Sequence, residues 1–121
     1  MSLALLIILI LGQEFREVDL LKIAGKARSQ VESEIGKPTK TEFYNPNGKT
    51  QCQCEKVFYL DGNISITYFL GKADWITVLP KVKLLNVELA KIKEYHNWRT
   101  HILIKTYTNK DKECCDIQSV I

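Results

Sequence analysis

The stretch that decides the fold is CQCEKVFYLDGNISITYFLGKADWITVL, residues 52–79. It predicts three consecutive β-strands, which are Glu55–Leu60, Ile64–Leu70 and Ala73–Leu79. Asp61-Gly62-Asn63 joins the first two strands and Gly71-Lys72 joins the second and third, since Asp-Gly and Gly-x pairs tolerate the positive φ of tight hairpins. The strands are dense in β-branched and aromatic residues, which favour a pleated, half-buried surface. We therefore expect an antiparallel meander at the centre of the chain.

The composition is that of an ordinary globular domain. The chain has 121 residues, of which 45% are hydrophobic and 26% are charged, so one core in one domain is expected. Its 17 basic and 14 acidic residues give a net charge of +3, and the basic residues are scattered along the chain. Because no basic block is interleaved with stacking aromatics, we expect no nucleic-acid partner.

An apolar run, LALLIILIL, occupies Leu3–Leu11 near the N-terminus. It is shorter than the roughly 20 residues that a membrane-spanning helix needs, but it fits the hydrophobic region of a signal peptide. No Lys or Arg precedes it and no A-x-A cleavage site follows it. We expect residues 1–12 to be a signal-like or anchor segment, able to associate with a membrane, ahead of a single α+β domain over residues 13–121. The alternative is a buried N-terminal strand or helix.

Four cysteines, Cys52, Cys54, Cys114 and Cys115, are disulfide candidates. An even number in a small exported chain is typical of one or two disulfides, and four cysteines allow three pairings. Unpaired buried thiols are the second interpretation. A zinc site is the third, because C-x-C and C-C depart from the usual C-x2-4-C spacing of zinc ligands. In the cytosol, the first two interpretations would exchange places.

Helices are expected on both sides of the meander. Residues 14–23 (EFREVDLLKI) show a one-sided apolar pattern, and a second short helix ends at Gly36 and Pro38, starting at either Ala27 or Ser29. Thr39–Phe43 suggests an extended lead-in. The longest amphipathic helix is predicted at Val82–Tyr95, followed by a hairpin of two strands, His101–Thr108 and Glu113–Ile121. The predicted fold class is thus α+β: short N-terminal helices, a three-stranded antiparallel meander, one longer helix and a C-terminal β-hairpin.

The pattern Gly25…Gln30-Val31…Ile35-Gly36-x-Pro38, with the meander that follows it, resembles the helix signature of the BamE/SmpA/OmlA-like (BLIP-like) small lipoprotein superfamily. That resemblance implies two short helices before a three-stranded antiparallel sheet, and it implies export. It covers about residues 20 to 79. The chain departs from the pattern at Ala27, where the family has Thr or Ser, and it lacks the lipid-bearing cysteine. The resemblance therefore implies fold and export more than a role in outer-membrane assembly.

The sequence offers little chemistry. It contains two histidines, His96 and His101, and no G-x-S-x-G, H-E-x-x-H, P-loop or G-x-G-x-x-G motif. Gly62 and Gly71 belong to hairpin turns and do not precede helices, so they do not indicate a phosphate site. We predict that the protein is not an enzyme and has no cofactor and no catalytic or metal residues. A small hydrolase or transferase with a Cys or His site is the least favoured alternative.

Aromatic residues on the meander suggest a binding function. Tyr and Trp commonly anchor protein interfaces, so Tyr59, Phe69 and Trp75 are the partner-binding candidates on the sheet face not covered by helices. The alternative is that they form the core or cross-strand pairs. The leading hypothesis is a non-enzymatic, envelope-associated or exported module that binds a protein or peptide. The alternative is a small metal- or redox-responsive protein that uses its four cysteines.

Overall fold

The structure, a computed structural model, describes residues 16–44 and 54–106. Two short strands, β1 (Arg16–Asp19) and β6 (Val82–Leu85), pair in parallel. The other strands are β2 (Lys40–Tyr44), β3 (Cys54–Tyr59), β4 (Ile64–Phe69), β5 (Lys72–Val78), β7 (Glu94–Asn97) and β8 (Ile102–Lys105). They form a six-stranded antiparallel sheet in the order β2-β3-β4-β5-β8-β7. The helical elements described are α1 (Arg28–Ile35) and a 3-10 turn at Leu20–Lys22.

The predicted meander is confirmed as β3, β4 and β5, and the predicted lead-in is confirmed as β2. The second turn is shifted by one residue, because Phe69 pairs with Lys72 and leaves Leu70 and Gly71 as the loop. Both loop residues have positive φ, 51° at Leu70 and 77° at Gly71, as a type I′ turn requires.

The predicted α+β fold class is wrong, because the protein is mainly a β-sheet protein with one α-helix among the described residues. The helical pattern predicted over residues 14–23 is wrong for the described part of that segment, since Arg16–Asp19 form β1 and a 3-10 turn, Leu20–Lys22, follows. The longer helix predicted at Val82–Tyr95 is absent. Its first four residues form β6, and its last two residues lie in β7. Between them, Asn86 has a φ of 59°, which is not a right-handed helical conformation.

The predicted C-terminal hairpin is also wrong in its pairing. The strand predicted at His101–Thr108 exists as β8, but it pairs with β5 on one side and with β7 on the other. The strand predicted at Glu113–Ile121 lies outside the described residues, as does the apolar segment at residues 1–12.

The second predicted helix is confirmed as α1, and it starts after Ala27. Ala27 has an extended conformation, with φ −67° and ψ 153°, and its side chain makes no capping hydrogen bond. The Gln30 side chain instead reaches back, and its Oε1 accepts a 3.3 Å hydrogen bond from the Ala27 N–H. The helix ends at Gly36, whose φ of 95° favours glycine.

The core lies between α1 and one face of the sheet. We call that sheet face the inner face. Val31 and Ile35 of the helix and Val57, Ile66 and Ile76 of the sheet are buried there. The β1–β6 pair closes the same core through Val18 and Val82. Because side chains alternate along a strand, Phe58, Thr67, Trp75 and Leu103 lie on the opposite, outer face. On the outer face, basic side chains contact aromatic rings: Lys40 and Lys56 lie over Phe58, and Lys105 lies over Trp75.

Candidate functional site

The sequence-predicted partner-binding residues lie inside the protein. Tyr59 is 0% exposed, Trp75 is 3% exposed and Phe69 is 7% exposed. Tyr59 belongs to the core, and Trp75 packs with Leu103 on the outer face. Buried side chains cannot contact a partner while the sheet stays folded, so we place the candidate site elsewhere.

Of the four cysteines, the described residues include Cys54, while Cys52, Cys114 and Cys115 lie outside them. Cys54 begins β3, is 2% exposed and is not a free thiol. The predicted pairing of the four cysteines stays a prediction. Within residues 16–44 and 54–106, no group of three or more His, Cys, Asp or Glu residues is placed to hold a metal ion.

The candidate site is the hairpin formed by β7 and β8, which we call the aromatic hairpin (residues 94–105). The Trp98 indole stacks on the His96 imidazole, with ring centroids 5.1 Å apart and planes 9° from parallel. The His101 ring lies 4.8 Å from the same indole, tilted by 40°. Both separations are within the range of attractive aromatic pairs. The indole is nonetheless 48% exposed, so a large, oriented aromatic side chain faces outward.

The sequence produces this arrangement through cross-strand register. His96 pairs with Leu103 and Asn97 pairs with Ile102, so the loop that turns the chain is short. The Trp98 N–H donates a 2.9 Å hydrogen bond to the His101 carbonyl, which fixes Trp98 and His101 opposite each other. Side chains two apart on a strand share a face, so His96, Trp98 and His101 are brought together on the outer face.

Polar contacts hold the two imidazoles in place. The His96 Nε2 lies 3.0 Å from the Glu94 carboxylate, and the His101 Nδ1 lies 2.9 Å from the Thr100 hydroxyl. At the last residue of the hairpin, the Lys105 ammonium lies 4.2 Å from the centre of the Trp75 ring on β5, a cation–π contact. The aromatic hairpin is thus pre-ordered by its own side chains.

Strand β7 is an edge of the sheet. It pairs with β8 on one side, and among the described residues no strand pairs on its other side. In an antiparallel pair, the residues that bond to the partner alternate with residues whose backbone groups point away. The Trp98 N–H donates to the His101 carbonyl, so Trp98 is one of the residues that bond to the partner strand. The backbone N–H and C=O groups of Asn97, and of Tyr95 two residues earlier, therefore point away from β8. These groups face the side on which a further strand would add.

Tyr95 and Arg99 complete the surroundings of this edge. Tyr95 pairs with Ile104 on the inner face, and its side chain is 40% exposed. Arg99 is exposed at the tip of the hairpin. Trp, Tyr and Arg are the residues most enriched among those that dominate binding energy at protein interfaces. All three types occur here within five consecutive residues, Tyr95–Arg99.

A second polar cluster joins α1 to the sheet, and its geometry indicates a structural role. Arg28 Nε lies 2.7 Å from Glu32, and Arg28 Nη1 lies 2.5 Å from Glu55. The Tyr59 hydroxyl donates a 2.8 Å hydrogen bond to Glu32 and lies 2.8 Å from the Tyr68 hydroxyl. Each of these side chains thus bonds to another member of the cluster. The contacts join α1 to β3 and β4, which is a structural role.

Burial and hydrogen bonding shift the pKa values in this cluster. Burial raises the pKa of Tyr68 to about 12, although its hydrogen bond with Tyr59 opposes part of that rise. Burial also raises the pKa of Tyr59, and its hydrogen bonds to Tyr68 and Glu32 add to that rise. Burial disfavours the charged form of Glu32, but hydrogen bonds from Arg28 and Tyr59 outweigh it, so the pKa of Glu32 is lowered.

No family model, curated protein or solved structure matches this chain. The resemblance to the BamE/SmpA/OmlA-like group therefore stays a prediction. Across residues 16–44 and 54–106, no helix is long and apolar enough to cross a membrane.

Sequence reasoning missed the aromatic hairpin because it assigned residues 82–95 to a helix. With Glu94 and Tyr95 placed in that helix, the strand β7 that precedes Trp98 was not predicted. A usable signal is present, since two strand-like segments, EYHN and ILIK, flank a four-residue polar loop that contains Trp98. That spacing is typical of a hairpin, and a Trp in a polar hairpin loop has few partners to bury it.

Proposed function

We propose that this protein is a non-enzymatic, envelope-associated or exported module that binds an extended peptide segment of a partner protein along strand β7. The observation that carries the proposal is the half-exposed Trp98, held between two imidazoles at the end of an edge strand. Monomeric proteins usually bury most of a Trp side chain and protect the edge strands of a sheet. This hairpin has both an exposed Trp and an edge strand that no described strand covers.

The edge and the indole suit one binding mode. A peptide added beside β7 would form backbone hydrogen bonds with the outward groups of Tyr95 and Asn97. Its side chains would alternate between the inner face, beside Tyr95, and the outer face, beside His96 and Trp98. Backbone bonds would thus provide affinity for any extended peptide, and the aromatic side chains would select apolar or aromatic residues in it.

The envelope or exported location has separate support from the sequence. The apolar run at Leu3–Leu11 has the length of a signal-peptide hydrophobic region, and the cysteine number is typical of an oxidising compartment. A metal- or redox-responsive function has no comparable support from the described residues.

The test is selection of binding peptides from a random peptide display library on the immobilised full chain, followed by calorimetric titration of the enriched peptides. We expect Trp98→Ala to weaken binding by about 30-fold, which corresponds to roughly 2 kcal/mol for the loss of a dominant interface residue. Leu70→Ala is the matched control, because Leu70 is 80% exposed on a different hairpin. That control should leave the affinity unchanged.

A pair of substitutions at Asn97 tests strand addition itself. Asn97→Pro removes an outward backbone N–H at an edge position that tolerates proline, whereas Asn97→Ala removes only the side chain. We expect Asn97→Pro to weaken binding by about fivefold to tenfold and Asn97→Ala to have little effect. Far-UV circular dichroism checks that both variants fold. Failure to enrich any peptide, or peptides that bind Trp98→Ala as tightly as the parent, would reject the proposal.

A further inference from the structure

A second feature, away from the aromatic hairpin, is a partly open cavity of about 400 Å³. One wall comes from the 3-10 turn and the residues after it, with Leu21 and Ala24. The facing wall comes from the loop between β6 and β7, with Leu89 and Ala90. Small-molecule sites in proteins have volumes of roughly 300–1,000 Å³, so the cavity is large enough for a ligand of modest size.

Four apolar side chains form part of the cavity lining. Two of them are open to solvent, since Leu21 is 37% exposed and Leu89 is 66% exposed. Ala24 and Ala90 both pack against the core, which fixes these parts of the lining to the folded protein. The Ala90 N–H donates a 3.2 Å hydrogen bond to the Asn86 carbonyl, so the loop wall has its own turn structure. The apolar lining is therefore part of the fold.

The charge of the lining is one-sided. Lys26 and Lys91 both line the cavity, and no acidic residue lines it among the described residues. Neither lysine forms an ion pair with a described residue, in contrast to Lys22 with Glu34 and Lys40 with Glu42. Thr106 also lines the cavity, and its hydroxyl donates to the buried Asp74 carboxylate at 3.0 Å. The charged side chains among the described lining residues are thus two lysines, which attract an anion.

We propose that this cavity binds a small organic carboxylate with an apolar body, such as a medium-chain aliphatic acid. The apolar body would lie between the leucine and alanine walls, and the carboxylate would lie between Lys26 and Lys91. A bare phosphate or acetate would gain the charge interaction without the burial of apolar area, and a neutral alcohol would gain the burial without the charge. The ligand needs both parts.

The test is titration of the full chain with octanoate, followed by amide chemical shifts in two-dimensional NMR spectra. We expect shifts at the amides of Ala24, Gly25, Leu89 and Ala90, and weaker shifts with octanol. Acetate and inorganic phosphate, at matched concentration, should produce none at these amides. The same spectra report on the aromatic hairpin, whose amides should not move.

Two variants separate the contributions of the two parts of the ligand. The double variant Lys26→Gln/Lys91→Gln should weaken octanoate binding by about fivefold to tenfold while leaving octanol binding unchanged, since each exposed ion pair contributes modestly. The control is Lys81→Gln/Lys83→Gln, which removes the same charge at exposed residues outside the cavity. Ala90→Phe, which would fill the cavity, should weaken both ligands by about tenfold or more.

Three results would overturn the proposal. They are the absence of octanoate shifts, shifts centred on other residues, and equal binding of octanoate by the parent and the Lys26→Gln/Lys91→Gln variant. If Ala90→Phe fails to fold, the Lys26→Gln/Lys91→Gln variant still tests the proposal, because both substituted side chains are exposed.

Discussion

The hydroxyl of Tyr59 is inside the protein, and two neighbours satisfy it. It donates to Glu32 on the helix and lies next to the Tyr68 hydroxyl on the adjacent strand. A buried hydroxyl without a partner costs about 1–3 kcal/mol, so this arrangement constrains both neighbours. Glu32 must remain an acceptor, and its ionised form is the one that Arg28 and Tyr59 stabilise.

The free energy of unfolding should therefore depend on pH through Glu32. Its pKa is lowered in the folded state from the ordinary value of 4.5, so the unfolded chain binds the proton more readily. The stabilisation from Glu32 is present above pH 4.5 and is lost as the pH falls through the lower, folded-state pKa. Glu32→Gln should be less stable than the parent at neutral pH and should lose less stability on acidification. Urea unfolding at neutral and acid pH measures both differences.

The control for this experiment is Glu88→Gln, which removes one carboxylate from an exposed residue that has no ion pair among the described residues. It should follow the acid dependence of the parent. If Glu32→Gln loses stability on acidification as steeply as Glu88→Gln does, Glu32 is not the source of the pH dependence.

At the scale of single elements, the β4–β5 turn has an unfavourable residue in its first position. Leu70 has a φ of 51° and an 80% exposed side chain. A left-handed conformation costs a non-glycine residue about 1–2 kcal/mol, and Asn tolerates it better than Leu. Leu70→Asn should therefore stabilise the protein by about 0.5–1 kcal/mol, which thermal unfolding would show as a higher Tm.

Leu70→Ala separates the two consequences of that substitution. It removes the exposed apolar side chain but keeps a residue that disfavours positive φ, so it should leave the Tm near that of the parent. Equal stabilisation by Asn and Ala would mean that the backbone conformation of Leu70 is not the cause.

The element scale also shows what the sequence could predict. The meander was predictable because each strand pairs with its neighbour in the chain, so glycine-containing turns and strand-forming residues act locally. The position of the second turn was predicted one residue too late, at Gly71-Lys72 instead of Leu70-Gly71. The helix α1 was predictable from its Gly36 and Pro38 end. Only its start stayed open, because Ala27 lacks a capping side chain and Gln30 replaces it.

The segment from Val82 to Tyr95 could not be predicted in this way. Its apolar residues recur at helical spacing, yet Val82–Leu85 pairs with β1, about 65 residues earlier in the chain. Such a pairing leaves no local signal, and it overrides the helical pattern. Leu89, which a helix would have buried on its apolar face, is 66% exposed and lines the proposed ligand cavity. The error in the fold prediction and the missed binding features therefore have one cause.

On the scale of the whole molecule, the predicted disulfides would join different parts of the chain, which can be tested. Cys54 is buried and is not a free thiol, so we expect the native protein to resist alkylation without reduction. Reduction should lower the free energy of unfolding by about 2–4 kcal/mol, the usual contribution of a disulfide. Intact mass after alkylation, with and without reduction, measures the pairing, and urea unfolding under both conditions measures its contribution.

Cys54→Ser provides the control. It should be less stable than the parent without a reductant, and the two proteins should have closer stabilities after reduction. Alkylation of all four cysteines in the unreduced protein would contradict the disulfide prediction and would favour a reducing compartment.

The order of strands in the sheet also determines when the proposed peptide-binding edge can exist. Strand β8 lies between β5 and β7 in space, although β7 precedes β8 in the chain. During synthesis on a ribosome, residues 94–97 emerge before the strand that attaches them to the sheet. The edge, and the stacking of Trp98 on its two imidazoles, can therefore form only after residue 105 has left the exit tunnel. A nascent chain with a complete meander would still be unable to bind its partner, so binding would be restricted to chains whose sheet is finished.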